Sequence, residues 1–149
     1  MSQNIIFKNT SFYRGSKCIY DDVSFEIPHG KITTIIGPSG TGKTTLLQLV
    51  AGLLKPTSGQ IDYQEHTITA TSKEKELQPI RKRMGFLFQS GALFTHMNVF
   101  DNVAFPLRQN TKLSEDIIKN IVLMKLEAVG LAHTINMMPS ELSGGMNRR

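Results

Sequence analysis

The sequence predicts an α/β fold with a helical second part. Three observations carry that reading: apolar alternation in the first third, an apolar run followed at once by a glycine loop and a helical period, and a change of composition after Gln89. Ile5 to Phe7 and Val23-Ser24-Phe25-Glu26-Ile27 alternate as half-buried strands do. Pro28-His29-Gly30 turns the chain, and Lys31 to Ile36 ends in a β-branched stretch that reads as a strand covered on both faces. From Thr44 the period becomes helical, with Leu46, Leu49, Val50, Leu53 and Leu54 on one face and Lys55 to Gly59 as the closing turn. Gln60 to Tyr63 reads as a short strand, and Thr71-x-x-Glu74 as a capping box opening a polar helix that Pro79 interrupts or restarts. Met84 to Phe88 is again strand-like. Further on, Ser114 is an N-cap, Glu115 and Asp116 supply charge in the first turn, and Ile117, Ile121, Val122, Leu126 and Val129 form an apolar face up to Gly130. The boundary falls near residue 90, giving parts 1–90 and 91–149.

A chain of 149 residues with 40% apolar content can bury a core. Met1 to Asn9 has no signal-peptide pattern, and the longest apolar-rich run, Leu46 to Leu54, is too short to cross a bilayer and is broken by Gln48 and Gly52. Any membrane role is therefore peripheral. The single cysteine, Cys18, leaves no internal disulfide and fits a reducing compartment such as the cytoplasm. Seventeen Lys and Arg against twelve Asp and Glu give a formal +5, which suits nucleic acid, anionic lipid or nucleotide phosphates without choosing among them. The runs Arg81-Lys82-Arg83 and Arg148-Arg149 carry no interleaved aromatic residues, so they read as solvated faces and not as a nucleic-acid groove.

Gly37-Pro38-Ser39-Gly40-Thr41-Gly42-Lys43-Thr44 matches G-x-x-x-x-G-K-[ST] at every position. A triphosphate needs donors, and backbone N–H groups serve when a loop turns them inward; Gly37, Gly40 and Gly42 tolerate that backbone and leave room for the phosphates. The helix start that follows adds unpaired N–H groups and a dipole worth roughly 0.3 to 2 kcal/mol, too little to be the main contribution. Lys43 supplies a full charge for the β and γ phosphates, Thr44 a hydroxyl for Mg²⁺, and the cradle runs on to Thr45. An accidental match in a chain this long has a probability on the order of half a percent. ATP and Mg²⁺ are the expected ligands.

Leu142-Ser143-Gly144-Gly145-Met146 follows, and Phe88-Gln89-Ser90 lies between the two at the end of a predicted strand. Alone, the first also fits a glycine turn before a helix, and Gln89 a polar residue closing a strand. Ser143 and its two glycines offer a hydroxyl and open backbone N–H groups, a second anion site at a helix start. Together, in this order and spacing, the three segments resemble the phosphate loop, Q-loop and signature motif of the ABC ATPase family. The resemblance implies a P-loop NTPase fold with an N-terminal antiparallel β part and a helical subdomain. It makes 1–90 the first part of a RecA-like ATP-binding core with its β-subdomain, and 91–149 the signature subdomain. It implies a homodimer packed head to tail, in which Leu142 to Met146 of one subunit close on the γ-phosphate held by the other. It gives Gln89 a contact with Mg²⁺ or the attacking water, so that Gln89 joins Lys43 in catalysis and Thr44 at the metal. The family also stacks an aromatic residue on adenine; here that register falls on Arg14, beside Tyr13, and an Arg plane can stack too.

Leu87 to Phe94, Met97 to Leu107 and Pro139 to Met146 are, in addition, similar to the ATPase subunits of Mla-type phospholipid transporters. Met146 stands where most ABC proteins carry Gln, which is characteristic of that group. This implies coupling of ATP binding and hydrolysis to phospholipid transport between inner and outer membranes, and so to the lipid asymmetry of the outer membrane. The subunit would sit peripherally on the cytoplasmic face of the bacterial inner membrane and meet integral permease subunits through about Phe94 to Leu107. A module of another ABC importer or exporter remains open. A DNA-repair or chromosome-type ABC protein, with nucleic acid as partner, is disfavoured because such proteins insert coiled coils or zinc modules after the Q-loop, and this stretch has neither heptads nor a second cysteine. The family pattern continues with an apolar strand ending in Asp-Glu and a His that senses the γ-phosphate, none of which these 149 residues contain. An incomplete fold is therefore expected, with apolar parallel strands lacking neighbours and no ATP turnover from the chain alone.

Overall fold

The computed structural model describes residues 4–88 and 91–149. Two compact units result, one ending at Phe86 and the other starting at Leu87.

The first unit is built on a four-stranded antiparallel sheet in the order β2-β1-β3-β4, formed by β1 (Ile5–Arg14), β2 (Lys17–Ile27), β3 (Ser58–Tyr63) and β4 (His66–Thr69). β1 and β2 are longer than the alternation predicts, because both continue through an irregularity that breaks the period of two. Asn9 and Asp22 adopt positive φ (46° and 48°). There the Asn9 side-chain amide donates to Asp22 Oδ1, the Asn9 backbone N–H to Ser24 Oγ and the Asp22 N–H to Ser11 Oγ, each at 2.9 Å. These side chains stand in for missing ladder bonds, so pairing resumes beyond the shift. The short strand β4, reached through a turn with Gln64 at φ 44°, has no counterpart in the sequence reading.

The helices α1 (Lys43–Val50) and α2 (Glu74–Lys82) complete this unit, and Phe7, Phe12, Leu49, Ile61, Tyr63, Ile68, Leu77 and Ile80 form its buried core. Tyr63 closes α1: its hydroxyl donates to the carbonyls of Leu49 and Val50 at 3.0 and 2.8 Å, satisfying acceptors that the helix end would leave bare. Burial holds that hydroxyl well above the ordinary tyrosine range. The N-terminus of α2 lies two residues beyond the predicted box. Glu76 accepts from the Lys73 N–H at 3.0 Å, while Thr71 pairs with the Thr69 hydroxyl. Pro79 sits inside α2 without breaking it.

Two predicted strands are not formed among the described residues: 32–36 and 84–88 are not strand there, and Ile32 and Ile36 are 98% and 89% exposed. A strand covered on both faces takes its hydrogen bonds from neighbours on either side, and no described strand pairs with residues 32–36. β-Branched propensity alone does not order an isolated strand.

The second unit contains α3 (Val99–Asn110), α4 (Glu115–Ala128), two short 3₁₀ turns (Ala132–Thr134 and Pro139–Glu141) and α5 (Gly144–Asn147). Val99, Ala104, Ile118, Val122, Leu126 and Leu131 form its core. The buried row of α4 is thus Ile118-Val122-Leu126, spaced four apart, whereas the predicted face included Ile117, which is exposed. Arg108 ties α3 to α4 through Glu115 at 2.7 Å, and is itself held along α3 by Asp101 at 2.9 Å. Among the described residues no helix is long and apolar enough to cross a membrane.

Candidate functional site

The phosphate loop is shaped by the strand that packs against it and the helix it opens. Gly40 and Gly42 take φ of 82° and 97°, and Gly42 is the N-cap of α1. A Cβ at Gly42 would lie 2.7 Å from Ile19 Cγ2 and 3.0 Å from the Tyr20 hydroxyl, so β2 closes on the loop where only glycine fits. Neither Ile19 nor Tyr20 was among the sequence candidates; the signal available was the apolar residue in the middle of the Cys18-Ile19-Tyr20 stretch. Burial raises the Tyr20 hydroxyl above its ordinary value.

The Lys43 ammonium folds back into the loop and donates to the Gly37 and Pro38 carbonyls at 2.7 and 2.5 Å, while the Thr41 hydroxyl donates to the Pro38 carbonyl at 2.9 Å. A full charge is thereby parked on neutral acceptors that phosphate oxygens can replace with stronger, charge-assisted bonds. The first bond of α1 runs from the Leu46 N–H to the Gly42 carbonyl at 2.9 Å, so the N–H groups of Lys43, Thr44 and Thr45 precede the helical ladder and are oriented as donors. The hydroxyl-bearing side chain of Thr44 is exposed and that of Thr45 is buried. Thr45 can therefore serve only through its backbone. The exposed Thr44 hydroxyl at the loop end is a hard oxygen of the kind Mg²⁺ accepts beside phosphate oxygens and waters.

Tyr13 and Arg14 end β1, where Tyr13 pairs with Cys18 and Arg14 with Lys17 around Gly15. The Tyr13 hydroxyl is committed. A hydrogen bond with Cys18, helped by the charge of Asp21, holds it above its ordinary value, and it reaches Asp21 Oδ1 at 3.5 Å. The Arg14 guanidinium is exposed and makes no side-chain hydrogen bond among the described residues.

In the second unit Leu142 and Met146 pack against the helical core and hold a turn whose Ser143, Gly144 and Gly145 face solvent. Ser143 is the N-cap of α5, its Oγ accepting from the Met146 N–H at 3.3 Å. Neither Gly144 nor Gly145 has a positive φ, and a Cβ at either would meet nothing within 4 Å. Gly91, at φ 80°, lies against Asn147, whose Oδ1 is buried without a hydrogen-bond partner among the described residues. Gln89 lies outside the described residues.

Residues 20–149 match the sequence pattern of the ABC transporter family. The chain belongs to the ABC transporter family. Its relatives in that family include the intermembrane phospholipid transport system ATP-binding protein MlaF of Haemophilus influenzae, 57% identical over the whole chain, and that of Escherichia coli K12, 56% identical over 95% of it. The chain spans 56% and 52% of those two proteins, about half their length. A probable ribonucleotide transport ATP-binding protein of Mycobacterium leprae is 47% identical over 91% of the chain, which spans 39% of it. Among solved ABC structures, an ATP-binding cassette captured as a dimer in a post-hydrolysis state with ADP and Pi superposes with a TM-score of 0.85 at 29% identity, covering 96% of this chain and 65% of that one. A cassette of a Clostridium perfringens ABC transporter complex gives 0.80 at 28% identity, covering 99% and 59%. The expected ABC ATPase fold, incomplete and with its antiparallel β part and helical subdomain, is therefore the fold of this chain, and the unformed strand at 32–36 agrees with the expectation of apolar strands lacking neighbours.

Proposed function

We propose that this chain is the nucleotide-binding part of an ABC ATPase subunit that couples ATP binding and hydrolysis to phospholipid transport between two membranes. The observation that carries the reading is the loop itself: Lys43 parked on the Gly37 and Pro38 carbonyls, with the N–H groups of Lys43, Thr44 and Thr45 at the head of α1. Such a site binds a polyphosphate by exchanging its internal acceptors for phosphate oxygens. Gly37 to Gly42 supply backbone donors, Lys43 the counter-charge, and the Thr44 hydroxyl an oxygen ligand for Mg²⁺, which when bound neutralises charge between the β and γ phosphates. Arg14, the freer of the two hairpin-end residues, stacks on the adenine and Tyr13 borders it. Gln89 orients the attacking water.

The cargo is assigned from the 57% identity to a phospholipid transport ATP-binding protein. In the assembled transporter two copies pair head to tail, so that Ser143, Gly144 and Gly145 of one present donors to the γ-phosphate held by the other. Leu142 and Met146 anchor that turn. Residues 1–90 serve as the ATP-binding part and 91–149 as the signature subdomain. The segment Phe94 to Leu107 meets an integral permease subunit, which places the protein peripherally on the cytoplasmic face of the inner membrane.

The test is Lys43→Ala in the full-length protein. Removing the one full charge that meets the β and γ phosphates should weaken Mg-ATP binding by about a hundredfold, roughly 2.7 kcal/mol, as read by calorimetry, and should abolish steady phosphate release. Unchanged affinity in that variant would refute nucleotide binding by this loop.

A further inference from the structure

The segment between Gly91 and Asn98 contains no Asp, Glu, Lys or Arg, and its middle presents exposed Phe94, Thr95 and His96. An uncharged aromatic tip would ordinarily be mobile; here it is fastened. One side chain does the fastening. Asn102, half-buried one turn into α3, accepts from the Phe94 N–H at 2.8 Å. Its amide nitrogen donates back to the Phe94 carbonyl at 3.1 Å and to the Met97 and Asn98 carbonyls at 3.0 Å. Two N–H hydrogens thus serve three carbonyls, one of them shared, and the side-chain oxygen takes the remaining donor, so every hydrogen-bonding group of the amide is used. Asn98 contributes separately, capping α3 by accepting from the Asp101 N–H at 2.8 Å. The tip is further set by ring contacts of Phe94 with Phe105, centroids 4.8 Å apart, and with His96 at 5.9 Å.

From this we infer that Asn102 is a positioning residue for the contact with the membrane-embedded subunit: it holds the 94–98 loop in its docking shape, so that Phe94 is presented without ordering the loop at each encounter. The inference rests on the proposed permease contact and extends it to a residue that itself need touch no partner. The favoured occupant is a short amphipathic helix of that subunit. The tip offers an aromatic face with a hydroxyl and an imidazole beside it and no formal charge, which suits apolar side chains at a helix end and suits neither nucleic-acid phosphates nor an acidic lipid surface. The carboxylate nearest along α3, Asp101, is already engaged by Arg108. A loop fixed before binding gains affinity because its conformational freedom is not lost on docking.

Asn102→Asp in the full-length protein, assembled with its membrane subunits in nanodiscs, tests this. The substitution keeps size and the acceptor for the Phe94 N–H, removes both donors, and sets a carboxylate against three carbonyl oxygens. A negative charge near the start of α3 does not weaken the helix itself. The expected result is a Lys43-dependent ATPase of the free subunit with kcat and KM within about twofold of wild type and a melting temperature lowered by no more than about a few degrees, alongside an affinity for the membrane subunits lowered at least about tenfold and loss of the stimulation they confer. Phe94→Ala, which leaves the Asn102 bonds to backbone intact, should reproduce the docking loss. Wild-type docking by Asn102→Asp overturns the inference. So does a parallel fall in basal ATPase, melting temperature and docking, which would make Asn102 merely structural. A wild-type subunit that fails to bind the membrane subunits at all would instead bring down the permease contact itself, and this inference with it.

Discussion

The phosphate loop at 37–44 and the turn at 142–146 both open helices with glycines, yet the chain needs those glycines for opposite reasons. At Gly42 the backbone is left-handed and a Cβ would strike Ile19, so the fold itself demands glycine. At Gly144 and Gly145 the backbone is ordinary and the space around each Cβ is empty, so nothing within the described chain excludes alanine. Alanine would even be favoured there by helix propensity, by about 1 kcal/mol in a helix interior. A glycine where the fold has no use for it leaves the turn open to close approach from outside the chain, as the proposed head-to-tail pairing requires. The first turn is a site that folding builds; the second is an open surface turn, which under the proposed head-to-tail pairing would meet a phosphate held by the other subunit.

Paired substitutions can break that contrast. Gly42→Ala in the full-length protein should remove Mg-ATP binding by about a hundredfold or more and cost on the order of 2–3 kcal/mol in unfolding free energy, since left-handed strain and a steric clash act together. Gly145→Ala should leave the unfolding free energy within about 0.5 kcal/mol and leave binding to the isolated subunit unchanged, while lowering ATPase turnover by about tenfold through crowding of the partner's γ-phosphate. Calorimetry, urea melts and steady-state kinetics on the two variants settle the matter. Equal loss of stability in both would erase the distinction.

Gly59 sharpens it from outside either site. It lies at φ 74° where the β1–β3 register shifts, and a Cβ there would sit 2.0 Å from the Asn9 carbonyl oxygen and 2.6 Å from that of Lys8. Both neighbours are backbone and cannot step aside. Gly59→Ala should therefore destabilise the sheet by about 3 kcal/mol, measured by chemical denaturation, while the nucleotide affinity of the molecules that remain folded stays at the wild-type value. A variant with normal stability would mean that backbone crowding and a left-handed φ do not make a glycine indispensable to the fold, at Gly42 as much as at Gly59.

The sequence made some of this legible and hid the rest for physical reasons. The phosphate loop could be read residue by residue because phosphate chemistry constrains each position separately: Lys43 for charge, Thr44 for an oxygen ligand, glycines for approach. The short strand at Gln60 to Tyr63 and the helix opened by Ser114 followed from local periodicity. Ile32 to Ile36 misled because a strand's existence depends on neighbours elsewhere in the chain, which a local β-branched run does not reveal. Ile117 and Ile118 were confused because the period fixes a helical face only to about one residue. The Asn9–Asp22 irregularity, the Ile19 and Tyr20 contacts with Gly42, and the Asn102 staple were invisible for a shared reason: each is a geometric closure between residues whose identities alone carry no motif.

The smallest expected effect concerns whether the contrast between the two turns can be measured at one pH without interference from the sheet. Asp62 is the group to watch. Its partial burial pushes its carboxyl up, but hydrogen bonds from Lys8, Thr67 and Gln60 and the Lys8 charge outweigh this and hold it below the ordinary aspartate value of 3.8. The contacts are Lys8 Nζ at 2.7 Å, Thr67 Oγ1 at 2.8 Å and Gln60 Nε2 at 2.9 Å. A folded-state value below the unfolded one means that the stabilisation is fully present above 3.8 and drains away as pH falls through the folded value. Lys8 is more than half exposed, so solvent screening keeps the contribution below about 1 kcal/mol. Asp62→Asn should thus lower the unfolding free energy slightly and uniformly from pH 5 to 8, with the difference from wild type shrinking as pH falls below 3.8 through the folded-state value. A difference that did not shrink in acid would assign it to packing or to the neutral hydrogen bonds instead of to charge. With this group titrating only in acid, differences between Gly42→Ala and Gly145→Ala near neutral pH report on the two turns and not on the protonation of Asp62.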